Sequence, residues 1–142
     1  MTLVDFYILK ENAAGDRFML TCRLCEKAYQ AGKRVCINTQ TREEAEHLND
    51  LLWQYNDQSF IPHDLDSEHQ TDTPVVITSQ IKKTDEHQVL INLAHEVPTC
   101  FSQFERLLEP VDHDENCRTA GRVRYRYYKD SGYTINNHEI SR

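Results

Sequence analysis

Hydrophobic and polar positions alternate in blocks along this chain. Leu3–Leu9 (LVDFYIL) is dense in β-branched and aromatic side chains, the pattern of a buried strand. After a polar stretch, Asp16 is placed to cap a helix over Arg17–Ala31, where Leu20, Leu24, Ala28 and Ala31 recur at helical spacing. Gly32 supplies the stop, and Lys33–Asn38 reads as a second strand. Thr41-Arg-Glu-Glu44 is a capping box, predicting a helix to about Tyr55 with Ala45, Leu48 and Tyr55 on one face. Pro74–Ser79 and Gln88–Ala94 read as a third and a fourth strand, and Leu107–Val111 as a weaker fifth. A last helix is expected from about Asp114 to Asp130. The tail GYTINNHEISR is expected to be irregular or an edge strand.

Strands alternating with helices through short loops predict right-handed βαβ crossovers and a mostly parallel sheet. The expected architecture is therefore α/β, a Rossmann-like three-layer domain. The 142 residues fit one domain of ~100–200 residues, and no repeat, low-complexity segment or linker divides residues 1–142.

Composition narrows the function classes. A hydrophobic content of 39% is lean, yet the β-branched and aromatic content is too high for a disordered chain. No apolar run nears the ~18 residues of a membrane span, and the opening MTLVDFYILK has no basic leader region. Five cysteines, an odd count, then suit reduced thiols in a cytoplasm. The net charge of −7 argues against a surface that tracks a phosphate backbone throughout.

Most catalytic and cofactor chemistry lacks its motif. A dinucleotide site needs a glycine-rich first βα turn; here that turn is KENAAGDRF, with one glycine, and no GKS or GKT occurs. Cys22 and Cys25 form a C-x-x-C inside the first predicted helix with no second pair at zinc-finger spacing, so they read as core residues and no metal is expected. There is no G-x-S-x-G elbow. Seven histidines are scattered, and each reads as a surface or loop residue. Only His63-Asp64, expected in a loop, offers an acid–base pair.

Two other features stand out. The only Trp, Trp53, lies at a helix end before a segment carrying Phe60, Ile61, Pro62 and His63; such a cluster either caps the core or meets a protein partner. Residues 118 to 129 hold five Lys/Arg and no acidic residue, whereas the rest of the chain has 11 basic against 23 acidic residues. On a helix, Arg118, Arg122, Tyr125, Arg126 and Lys129 share one face, opposite Cys117, Gly121 and Tyr128. A cationic stripe with tyrosines suits a carboxylate-rich peptide or a nucleic-acid backbone, the plainer alternative being a solvated face beside an acidic body.

The segments VDFYIL, AGKRVCI, LNDLLW…SFIPHDL and RVRYRYYKDSGYTIN, in that order over nearly the whole chain, resemble the chi-subunit family of bacterial DNA polymerase III holoenzyme. The resemblance implies a cytoplasmic bacterial clamp-loader component with no catalysis or cofactor of its own, which pairs with a psi subunit. It further implies that the protein holds the acidic C-terminal tail of single-stranded DNA-binding protein (SSB) and reaches nucleic acid only indirectly. Carried over by position, Arg118, Arg122, Tyr125 and Arg126 match the family's tail-binding residues; Arg118 and Arg126 look like positions that are commonly lysine. Trp53 and Phe60, with Pro62 and His63, match the surface that meets the protein partner. The acidic loop DLDSEHQTDTP and the Cys-rich first helix depart from the family pattern without touching these positions. An enzyme using His63 and Asp64, or a direct nucleic-acid binder using the arginine helix, are the competing readings.

The missing glycine loop gives a direct expectation: calorimetric titration with ATP or NAD should show no saturable binding in the micromolar range. Such binding would reject this reading of the first βα turn.

Overall fold

The computed structural model describes residues 1–55, 61–65, 73–81 and 88–141. Among the described residues, seven strands form one sheet in the order β3-β4-β2-β5-β6-β1-β7, and every registered pair runs parallel. The strands are β1 (Leu3–Leu9), β2 (Val35–Asn38), β3 (His63–Leu65), β4 (Val75–Thr78), β5 (Val89–Asn92), β6 (Arg106–Val111) and β7 (Ile135–Ile140). Three helices cover them: α1 (Arg17–Gln30), α2 (Arg42–Gln54) and α3 (Glu115–Asp130). A parallel sheet needs cover on both faces, and the sequence supplies it by alternation within each strand. Ile37, Ile91 and Leu108 face the layer of α1 and α2, while Leu90, Leu107 and Phe6 face the layer of α3. The architecture is the expected α/β, Rossmann-like three-layer one.

Local signals account for the helix starts. Asp16 Oδ1 accepts hydrogen bonds from the Phe18 and Met19 amides at 3.1 and 3.0 Å. Gly32, at φ +77°, follows α1 and sits in the left-handed region that a residue with a Cβ avoids. Thr41 Oγ1 accepts the Glu44 amide at 3.1 Å, as the capping box requires. Its reciprocal half differs: Glu44 Oε1 takes the Gln40 amide at 3.1 Å, one residue before the cap.

One expectation needs correction, two are sharpened and one turn was missed. His63-Asp64 lies in β3, not in a loop; the strand is three residues long, too short for a periodic signal. The weak fifth strand is the long, buried β6, whose Glu109 and Pro110 disguise it. The tail resolves to β7, paired in parallel with β1 from Val4↔Ile135 to Leu9↔Ile140. A 3-10 turn at Phe101–Gln103, between β5 and β6, had no signature.

All five cysteines are buried, and none forms a disulfide. Burial pushes the thiols of Cys22 and Cys25 up to about 12, far from the range of a reactive thiolate. No group of three or more His, Cys, Asp or Glu suited to a metal ion occurs among the described residues. The native protein at pH 8 should therefore react only slowly with a thiol-specific chromogenic disulfide, all five thiols becoming reactive on unfolding. A fast stoichiometric phase traced to Cys22 or Cys25 would contradict this burial.

Candidate protein-interaction surfaces

Helix α3 is held in place by its ends and its inner side. Asp114 Oδ1 caps it by accepting the Cys117 amide at 2.9 Å, and Glu115 and Lys129 suit the helix dipole at the first and last turns. The buried side consists of Cys117, Gly121, Arg124 and Tyr128. Three of these were expected there. The fourth, an arginine only 3% exposed, was not.

Arg124 meets a carboxylate that is wholly buried. Its Nε donates to both Glu109 oxygens at 3.1 Å, and its Nη1 donates to the His95 carbonyl at 2.8 Å. The Tyr128 hydroxyl donates to Glu109 Oε2 at 2.6 Å, and Asn92 Nδ2 adds contacts at 3.3 and 3.2 Å. Asn38 Nδ2 then donates to Asn92 Oδ1 at 3.1 Å. Burial, then the adjacent Glu109 carboxylate, pushes the Tyr128 phenol up, so it stays a donor. The cluster sits on the α3 face of β2, β5 and β6. Helical spacing from Cys117 and Tyr128 was the available signal that Arg124 faces inward.

The outer side of α3 brings the four expected residues together. Arg122 and Arg126 are exposed, Arg118 and Tyr125 half-buried. Among the described residues no carboxylate forms an ion pair with Arg118, Arg122 or Arg126. Tyr125 is fixed edge-on against Phe6 of β1, ring centroids 5.1 Å apart, and its hydroxyl accepts from Asn137 Nδ2 of β7 at 3.4 Å. The stripe thus combines unpaired guanidinium groups with a positioned aromatic ring. The other flank of α3 exposes Val123 and Tyr127.

A second surface lies on the opposite face of the sheet. Trp53 of α2 is 60% exposed, so the alternative of a core cap does not hold for this residue. Its ring meets His63 of β3 in an edge contact at 5.3 Å. Pro62 is half-buried, and His63, only 8% exposed, lies beneath the indole rather than at the surface. Phe60 lies outside the described residues.

The enzyme reading loses its geometry here. His63 and Asp64 are consecutive in a strand and leave on opposite faces. His63 Nδ1 is 2.7 Å from the Ile61 carbonyl, whereas Asp64 Oδ2 accepts from Thr73 Oγ1 at 2.6 Å. An open depression of about 350 Å³ does lie at the ends of β2, β4 and β5, where α/β sheets commonly bind ligands. Among the described residues its lining contains Asn38, Gln40, Ser79 and Glu96 but no glycine, lysine or arginine to receive a phosphate.

Comparison with known proteins places these surfaces in context. Residues 1–136 match the family described as DNA polymerase III chi subunit, HolC. The chain is 32% identical to the DNA polymerase III subunit chi of Pseudomonas aeruginosa over 142 residues, covering 100% of this chain and 99% of that protein. It is 29% identical to the protein of the same name from Haemophilus influenzae over 138 residues, 96% of each chain. Against that from Escherichia coli it is 26% identical over 142 residues, 96% of this chain and 97% of the other.

The exposure of Trp53 generates a stability test. Trp53→Ala should change the unfolding free energy of the isolated protein by no more than about 1 kcal/mol in urea denaturation. A loss of roughly 3–5 kcal/mol, as for a buried aromatic, would return Trp53 to the core.

Proposed function

Because the chain belongs to the DNA polymerase III chi subunit family, an accessory subunit in DNA replication, we propose that it is a non-catalytic adaptor binding two protein partners on opposite faces of its sheet. On the α3 face, Arg118, Arg122, Tyr125 and Arg126 hold the acidic C-terminal tail of SSB. On the α2 face, Trp53 and Pro62, with His63 beneath the indole, receive the psi subunit and through it the clamp loader, and the sequence assigns Phe60 to the same role. The site of action is the cytoplasm; no helix among the described residues is long and apolar enough to cross a membrane.

One observation carries the tail reading: α3 presents cationic forks without carboxylate partners among the described residues, beside an aromatic ring already fastened to the core. A guanidinium can grip a carboxylate through two parallel N–H donors, and a pre-placed ring loses little freedom when an apolar residue packs on it. The division of labour follows. Carboxylates on the peptide set the charge match, and an apolar residue sets the fit.

The direct nucleic-acid reading rests on the same stripe, and the test separates the two. A labelled SSB-tail peptide should bind saturably, less tightly as salt rises because exposed ion pairs are screened over ~8–10 Å, yet without complete loss. Arg122→Glu should cost about tenfold or more, exceeding Arg122→Gln, since repulsion is added to lost attraction. A peptide lacking its terminal Phe should bind poorly even at low salt. Equal binding of the full and Phe-less peptides, or tighter binding to labelled single-stranded DNA than to the peptide, would overturn the tail reading.

A further inference from the structure

The buried pair beneath α3 has no obvious place in a stability argument. Glu109 is 0% and Arg124 3% exposed, and taking two charges out of water costs about what their attraction returns. Apolar residues of similar volume commonly stabilise such a position as well or better. What the pair supplies is a geometric choice that apolar packing of this helix does not make.

The choice is the rotation of α3 about its axis. Of its sheet-facing residues, Cys117 and Gly121 are small, and only Tyr128 is a large ring. About 100° round the helix lies a rival set, Ala120, Val123 and Tyr127, at positions i, i+3 and i+7. This set is at least as apolar, yet Val123 is 69% and Tyr127 50% exposed. Hydrophobic burial alone would favour turning them inward. That turn would carry Tyr125 off Phe6 and Asn137 and rotate Arg122 and Arg126 with it. The three-point grip of Arg124, on both Glu109 oxygens and the His95 carbonyl, exists in one rotation only.

We propose that Arg124, anchored by Glu109, is the positioning residue that fixes the rotation of α3, and thereby sets the binding geometry of Arg118, Arg122, Tyr125 and Arg126 without touching the ligand. The proposal rests on the tail-binding reading for its affinity readout and on ring contacts for a readout independent of it.

The experiment replaces the network by apolar groups in Glu109→Leu/Arg124→Met/Tyr128→Phe and compares it with the wild type. Three quantities are measured: melting temperature, SSB-tail peptide affinity, and the nuclear Overhauser contacts between the Phe6 and Tyr125 rings. The variant should melt at or above the wild-type temperature, lose the Phe6–Tyr125 contacts, and bind the peptide about tenfold more weakly with every surface residue intact. Unchanged ring contacts and affinity in this folded variant would overturn the proposal. If it does not fold, Arg124→Lys carries the test. That variant keeps the charge but loses the fork, so weakened ring contacts and a several-fold lower affinity are expected, and wild-type values in both overturn the proposal. If the wild type does not bind the peptide, the tail reading fails, and the ring contacts alone then decide on Arg124.

Discussion

A wholly buried carboxylate sets the terms for one half of this molecule. Glu109 projects from the sheet into the buried layer beneath α3, where only polar partners can replace the water it has lost. Arg124, Tyr128 and Asn92 surround it, and Asn38 extends the chain of contacts to β2. Removing any single partner would leave a polar group stranded away from water, so the cluster stands as a unit. Helix α3, the strand ends beneath it and the segment carrying His95 are thereby locked to one another.

The layered plan divides the protein into two independent surfaces. Alternation along each strand sends one set of side chains to α1 and α2 and the other to α3, so the exposed indole of Trp53 and the arginine stripe stand on opposite faces of the sheet. Charge is divided as well. The molecule carries −7 overall, while residues 118 to 129 contain only basic ionisable groups besides their tyrosines and Cys117 just before them closes the buried side. A body that is acidic on balance repels an acidic ligand while that stripe attracts it, which favours approach there.

Sequence patterning made the sheet, its three helices and the outer face of α3 legible, because each rests on a period the chain repeats several times. Leu20, Leu24 and Ala28 repeat it in α1, and Arg118, Arg122, Arg126 and Lys129 in α3. What escaped depended on contacts distant in sequence. The three residues of β3 have no pattern of their own and become a strand only by pairing with Val75, Val76 and Ile77. Glu109 and Pro110 lowered the strand signal of β6, since an isolated charge reads as exposed until a partner 15 residues away is known to neutralise it. For the same reason Arg124 was counted among the basic residues and assigned to neither face, although its helical position goes with Cys117 and Tyr128. Trp53 was ambiguous in sequence because an indole at a helix end suits either environment; its exposure follows from the packing of α2 on β3 and β4.

The pairing of β1 also has a consequence for how the chain is made. Synthesis proceeds from the amino end, so β1 leaves the ribosome well before either of its partners. Both of its neighbours, β6 and β7, come from the last third: Leu3 pairs with Arg106, and Val4 with Ile135. Until those residues emerge, an apolar strand with two unsatisfied edges has no native partner, and loop closure over that length is slow. During that interval β1 is open to aggregation and to chaperone capture, and its pairing is complete only when β7 slides in beside it.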